Sequence, residues 1–172
     1  MKFKTTGTNG PETITCERTT YLLAVDAGVK TGLALYNNKG CLCWYRSHNM
    51  GSVASLRMAA YHLLNSIENL SWVVIEGGGP VAQAWIKEAT RKNLNIIRTD
   101  AGEWRKVILH PREFRNSAIA KQSAITLSKQ IIESSYAPSA NRPDHDAAEA
   151  ILIGLWGCRE AGFRAEPFIF KR

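Results

Sequence analysis

Residues 21–46 read YLLAVDAGVKTGLALYNNKGCLCWYR, and the fold is decided there. Tyr21 to Val25 is a short, continuous apolar run that stops on Asp26. A run of that length reads as a buried strand, here one that ends at a carboxylate. Asp26-Ala27-Gly28 then turns the chain, Gly32 to Tyr36 reads as a second strand, and Asn37-Asn38-Lys39-Gly40 supplies hairpin-turn chemistry. Cys41 to Arg46 reads as a third strand. Three strands this close in sequence form an antiparallel meander.

Downstream the period changes. Ser52 caps a helix expected to run to about Asn69, with Leu56, Ala59, Ala60, Leu63, Leu64 and Ile67 at helical spacing. Trp72 to Ile75 is a short apolar strand ending on Glu76. Gly77-Gly78-Gly79 follows, and Pro80 is placed to start a helix through about Lys92. Leu94 to Ile97 reads as a fifth strand. Asp100 caps a short helix containing Trp104, and Asn116 or Ser117 caps a longer one reaching Glu133. Ser135 to Pro143 reads as a loop. Asp144 to Ala161 is the last helix, with Ala148, Ile151, Leu152 and Leu155 on one face. A meander followed by alternating helices and strands predicts an α/β fold: a five-stranded mixed sheet, three strands antiparallel and two parallel, flanked by helices. With no internal repeat or long linker, residues 21–172 read as one domain behind an N-terminal extension, 1–20. That extension is polar and threonine-rich, without a signal-peptide core, and is equally an ordered arm or a loose tail.

The 172 residues suffice for one core. Basic residues number 22 against 15 acidic, a formal net charge of +7. Such a surplus favours a polyanionic partner, although a basic soluble protein without one has the same composition. The four cysteines, Cys16, Cys41, Cys43 and Cys158, lack zinc-type pairing, and read as free thiols in a reducing compartment. No apolar run approaches a membrane span.

Four acidic residues stand out by context. Asp26 and Glu76 each end an apolar strand, and Asp146 and Glu149 lie three apart on the last helix, sharing a face. Small neighbours, Ala147, Ala148 and Ala150, let that helix lie close to the sheet. Carboxylates gathered from two strand ends and a helix suit hard divalent cations. Two such ions about 4 Å apart can promote hydrolysis of a phosphodiester. Taken singly, each has a plainer reading: a solvated strand end, or an acid favoured by a helix N-terminus. Asp144, after Pro143, reads as the helix cap.

The stretch 26–34, DAGVKTGLA, resembles the first-strand motif of the RuvC-like Holliday junction resolvases. Val73-Val74-Ile75-Glu76 resembles that family's fourth strand with its metal-binding glutamate. Residues 146–154, DAAEAILIG, resemble its last helix, which carries two catalytic positions three residues apart. The resemblance spans about Tyr21 to Gly157. It departs at Glu149, where the bacterial enzymes typically carry aspartate; a glutamate there resembles the chloroplast and other divergent branches. It departs also at His145, which adjoins Asp146, the position some members fill with histidine.

The resemblance implies an RNase H-like fold and a crossover junction endodeoxyribonuclease of DNA recombination and repair. Asp26, Glu76, Asp146 and Glu149 are then the ligands of two Mg²⁺ ions (or Mn²⁺), and hydrolysis leaves a 5′-phosphate and a 3′-hydroxyl. Lys121 resembles a family lysine near the scissile phosphate, where it would offset transition-state charge. Arg105 and Lys106, Gly77, Gly78 and Gly79, and His145 are the remaining DNA-binding candidates. Each has a plainer alternative: a solvated basic face beside a core Trp104, a flexible loop, and an exposed first-turn histidine. The implied partners are four-way junction DNA and a second copy in a C₂ homodimer, with no membrane. The implied compartment is the cytoplasm of a bacterial or phage-infected cell, or else an organelle. Two other readings compete: a RuvX-like RNA-processing nuclease, which shares the Asp-x-Gly-x-Lys-x-Gly pattern of residues 26–32, and a non-catalytic protein that binds branched DNA.

Overall fold

The computed structural model describes residues 18–135, 137–138 and 142–163. Most of the N-terminal extension, including Cys16, lies outside them. Strands β1 (Tyr21–Asp26), β2 (Lys30–Asn37) and β3 (Leu42–Asn49) form the meander. Helix α1 (Val53–Ser66), strand β4 (Leu70–Glu76), helix α2 (Gly79–Arg91) and strand β5 (Asn95–Thr99) follow. Helices α3 (Ala101–Ile108), α4 (Ser117–Glu133) and α5 (His145–Glu160) complete the chain, with a 3-10 turn at Pro111–Phe114. The sheet order is β3-β2-β1-β4-β5. β1 is antiparallel to β2 and parallel to β4, β2 is antiparallel to β3, and β4 is parallel to β5. This is the expected mixed sheet.

Strand periodicity divides the core in two. Leu23, Val25, Leu33, Leu35, Val73 and Ile75 face α1 and α2, where Leu56, Leu64 and Trp85 are buried. Leu22, Ala24, Ala34, Tyr36 and Val74 face the other layer, with Trp104, Leu127, Ile131, Ile151 and Leu152. The central strands are apolar on both faces because both are covered.

The caps follow the local chemistry. Ser52, Asp100, Asn116 and Asp144 each accept a hydrogen bond from a first-turn amide, and Pro80 sits in the first turn of α2. Helix α1 is shorter than its apolar spacing suggested. It ends at Ser66, and Asn69 turns the chain with a φ of 54°. β3 is longer, because backbone pairing with β2 carries the polar residues Ser47, His48 and Asn49. Cys41 precedes β3, and Cys43 points its thiol back to the Cys41 carbonyl at 3.6 Å. Among the described residues, Cys41, Cys43 and Cys158 are free, and no helix is long and apolar enough to cross a membrane.

Candidate functional site

The site begins with a register. Asp26 and Glu76 are partners across the parallel β1–β4 pair, so their carboxylates leave neighbouring strands at the same level. Alternation puts Asp26 on the face of Leu22 and Ala24, and Glu76 on the face of Val74; that is the face covered by α5. The Ala27 amide donates to the Glu76 carbonyl at 2.9 Å and ties the two strand ends together.

Helix α5 brings the third carboxylate, and glycines set how closely it comes. A Cβ on Gly32 would lie 1.9 Å from the Asp146 carbonyl oxygen, one on Gly154 would lie 2.3 Å from the Tyr36 ring, and one on Gly157 would lie 2.4 Å from Val74. The Tyr36 hydroxyl donates to the Ile151 carbonyl at 2.7 Å and fixes the helix along its axis. At this closeness Asp26, Glu76 and Glu149 each offer a carboxylate oxygen, and all three oxygens lie within 4.8 Å of one another.

Asp146 stands beside this trio. Its carboxylate is 3.3 Å from the Lys30 ammonium, which also donates to Asp144 at 2.5 Å. Asp144 takes a further bond from the Ser47 hydroxyl at 2.5 Å and caps α5 through the Ala147 amide at 3.1 Å. Burial works against the Asp144 charge, but the bonds from Lys30, Ser47 and Ala147 hold its carboxyl below the ordinary value. Lys30 is raised, first by its bond to Asp144. Residues 144 and 146 thus lock the β1–β2 turn to the start of α5.

Glu149 has its own cation. Arg105, on α3, donates to its carboxylate at 2.5 Å and lies with its guanidinium 5.1 Å from the Trp104 ring. Trp104 is fully buried, in the core as expected. Its indole N–H opposes Glu76 but closes no hydrogen bond. Arg105, expected to face a DNA backbone, points into the carboxylates, while Lys106 beside it is exposed.

The electrostatics record a deficit of positive charge. Burial pushes Asp26 from 3.8 to about 8, and repulsion from Glu76, Glu149 and Asp146 adds to it, against a smaller opposing pull from Arg105. Burial and Glu149 likewise raise Glu76. An all-oxygen donor set with two protonation-prone members fits a hard divalent cation, which would restore both charges. Asp26, Glu76 and Glu149 are the residues that would hold it, with Asp146 adjacent.

The other candidates surround this centre unequally. Gly77, Gly78 and Gly79 are exposed directly after Glu76, and Gly77 and Gly79 have φ of 111° and 63°, which favour glycine. Lys121 lies one turn into α4 and is exposed. It enters none of the ion pairs among the described residues. His145 is half-buried, and its Nδ1 is buried without a partner. Two features went unread in the sequence. Lys30 was visible within the first motif, but nothing local announces partners on α5. The partner of Arg105 lies on α5, 44 residues away, and no local spacing names it.

The fold is shared with a solved structure. T. thermophilus RuvC in complex with Holliday junction substrate superposes with a TM-score of 0.61 at 13% identity, covering 87% of this chain and 99% of that one. The fold is RNase H-like, of the RuvC kind. A simian T-cell lymphotropic virus intasome in complex with PP2A regulatory subunit B56 gamma gives a TM-score of 0.31 at 12% identity, over 77% of this chain and 46% of that one, too distant to weigh. No protein-family model matches the chain, and no curated protein matches it in sequence.

Proposed function

We propose that this chain is a divalent-cation-dependent nuclease that resolves four-way DNA junctions. The observation that carries the reading is the meeting of Asp26, Glu76 and Glu149 within 4.8 Å, at the strand ends of a sheet with the RuvC topology. The neighbour of like fold was captured with a Holliday junction substrate, which favours branched DNA over other phosphodiesters. When bound, Mg²⁺ or Mn²⁺ supplies activation of water and charge stabilisation of the phosphodiester, with two ions per site the expected complement.

The chain's own residues do the rest. Asp26 and Glu76 hold their carboxylates on adjacent strands, and Glu149 closes the set from α5. Asp146, once free of Lys30, is the reserve ligand for a second ion. Gly77, Gly78 and Gly79 admit a nucleic-acid backbone next to Glu76, since nothing lies within 4 Å of where a Cβ would stand at Gly78 or Gly79. Lys106 and Lys121 offer exposed positive charge to phosphates. His145 sits at the same helix end and is half-buried there. A C₂ homodimer would present two such sites to the symmetry of a junction.

The test is cleavage of a mobile four-way junction with Mg²⁺ or with EDTA, mapped to single nucleotides, beside linear duplex and structured RNA. Paired, symmetric, Mg²⁺-dependent nicks at the branch are expected. Preferential cutting of structured RNA would support the RNA-processing alternative. Binding without any cutting would leave a non-catalytic junction binder.

A further inference from the structure

The carboxylate trio already has a cation, and that cation is Arg105. Its guanidinium bonds Glu149 at 2.5 Å, with the two side chains only 23% and 13% exposed. Its field also acts on the other two members, opposing the burial and, after it, the repulsion that raise Asp26 and Glu76. One positive group thus serves all three carboxylates, as a bound ion would.

The arrangement is not a closed structural ion pair. The Arg105 Nε is buried without an acceptor, so one guanidinium donor is orphaned in this position, a state that costs free energy. The Trp104 ring under the guanidinium, 5.1 Å away, gives the cation an attractive surface that does not depend on Glu149. Arg105 therefore has somewhere to stay when its carboxylate is taken.

We propose that Arg105 is an intramolecular stand-in for the divalent cation: it neutralises the site while Glu149 is unliganded, and it must release Glu149 for the ion to bind. This rests on reading the trio as a cation site and deepens it, making Arg105 a residue that sets the ion's affinity. The same group keeps three carboxylates from repelling one another in the ion-free protein. A residue that merely bolted α3 to α5, or merely aimed Glu149 at the ion, would act in the opposite sense on binding.

Calorimetric titration of Mn²⁺ into the full chain, without nucleic acid, separates these roles for wild type, Arg105→Lys and Arg105→Met. Removal of the competing charge should let Arg105→Met bind Mn²⁺ about tenfold more tightly, the equivalent of one charge-assisted hydrogen bond that no longer has to be broken. Arg105→Lys keeps the charge and should stay close to wild type. Arg105→Met should also melt earlier than wild type in EDTA and match it in saturating Mn²⁺. Equal or weaker Mn²⁺ binding by Arg105→Met overturns the stand-in. Failure of every protein, wild type included, to bind Mn²⁺ at millimolar concentration overturns the cation site itself and the stand-in with it.

A second measurement needs no stable variant beyond one for assignment. In ¹⁵N-arginine-labelled wild type, the Arg105 Nε–H resonance, identified by its loss in Arg105→Lys, is followed through a Mg²⁺ titration. Release of Glu149 should shift it and speed its exchange with water. A resonance that stays put while Mg²⁺ saturates the site contradicts the proposal.

Discussion

Asp26 carries a large electrostatic strain, and the sign of that strain is measurable. Its carboxyl is raised from 3.8 to about 8, by burial first and then by Glu76, Glu149 and Asp146. Between those values the folded protein binds a proton that the unfolded chain does not, so stability falls as pH rises across that window. In EDTA, the melting temperature of wild type minus that of Asp26→Asn should decline steadily from about pH 5 to pH 8. At pH 8 the variant should be the more stable by at least about 1 kcal/mol, or about 3 °C for a domain of this size. Parallel melting curves across that range would remove the strain from Asp26. Glu149 is the other informative residue. Glu149→Gln removes a negative ligand and should lose most cleavage. Glu149→Asp retracts the carboxylate by one methylene and should raise the Mg²⁺ needed for half-maximal single-turnover rate about tenfold, since Mg²⁺ tolerates little distortion of its shell. Superimposable Mg²⁺ curves for wild type and Glu149→Asp would take Glu149 out of the site. At this scale the sequence was legible where chemistry is local: Asp144 follows proline and caps its helix, and Asp26 and Glu76 close apolar runs. It was illegible where partners are distant. Lys30 and Asp144 are 114 residues apart, and nothing near either names the other.

Elements were legible to the extent that burial dictates composition. Val25 and Ile75 lie in runs that only strands covered on both faces require, and both strands end where those runs end. β3 was read too short because an edge strand needs its backbone partners more than apolar side chains, so the reading stopped at Arg46, before the polar residues Ser47 to Asn49. The Pro111–Phe114 turn carries no periodicity long enough to detect. Gly32 shows the gap between motif and cause. In the sequence it belongs to a glycine-bearing turn motif; in the fold it is the place where the α5 backbone touches β2, with room for no Cβ. Gly32→Ala should push α5 off the sheet and cost about 1–3 kcal/mol, the usual range for overpacking. It should also weaken Mn²⁺ binding, because Glu149 travels with the helix. A variant that loses neither stability nor ion affinity would show that helix closeness does not set the site. Gly78→Ala, where nothing lies within 4 Å, serves as the control for stability.

For the whole molecule, the net charge of +7 suits the nucleic-acid partner of the proposed function. Charge gives only the direction, and a branched substrate belongs to the proposed function. Junction affinity should fall linearly with salt on logarithmic axes. Lys106→Ala and Lys121→Ala should each reduce that slope by about one if their exposed charges meet phosphates; an unchanged slope would place that lysine off the DNA path. The proposed function requires the carboxylate trio to cut a junction with the help of a divalent ion. Single-turnover cleavage of a four-way junction, with enzyme in excess, should be compared for wild type and Asp26→Asn in Mg²⁺ and in EDTA. Wild type should cut only with Mg²⁺, and Asp26→Asn should bind the junction with similar affinity but cut at least about 100-fold more slowly. Cutting by wild type in EDTA, or by Asp26→Asn at the wild-type rate, would contradict it.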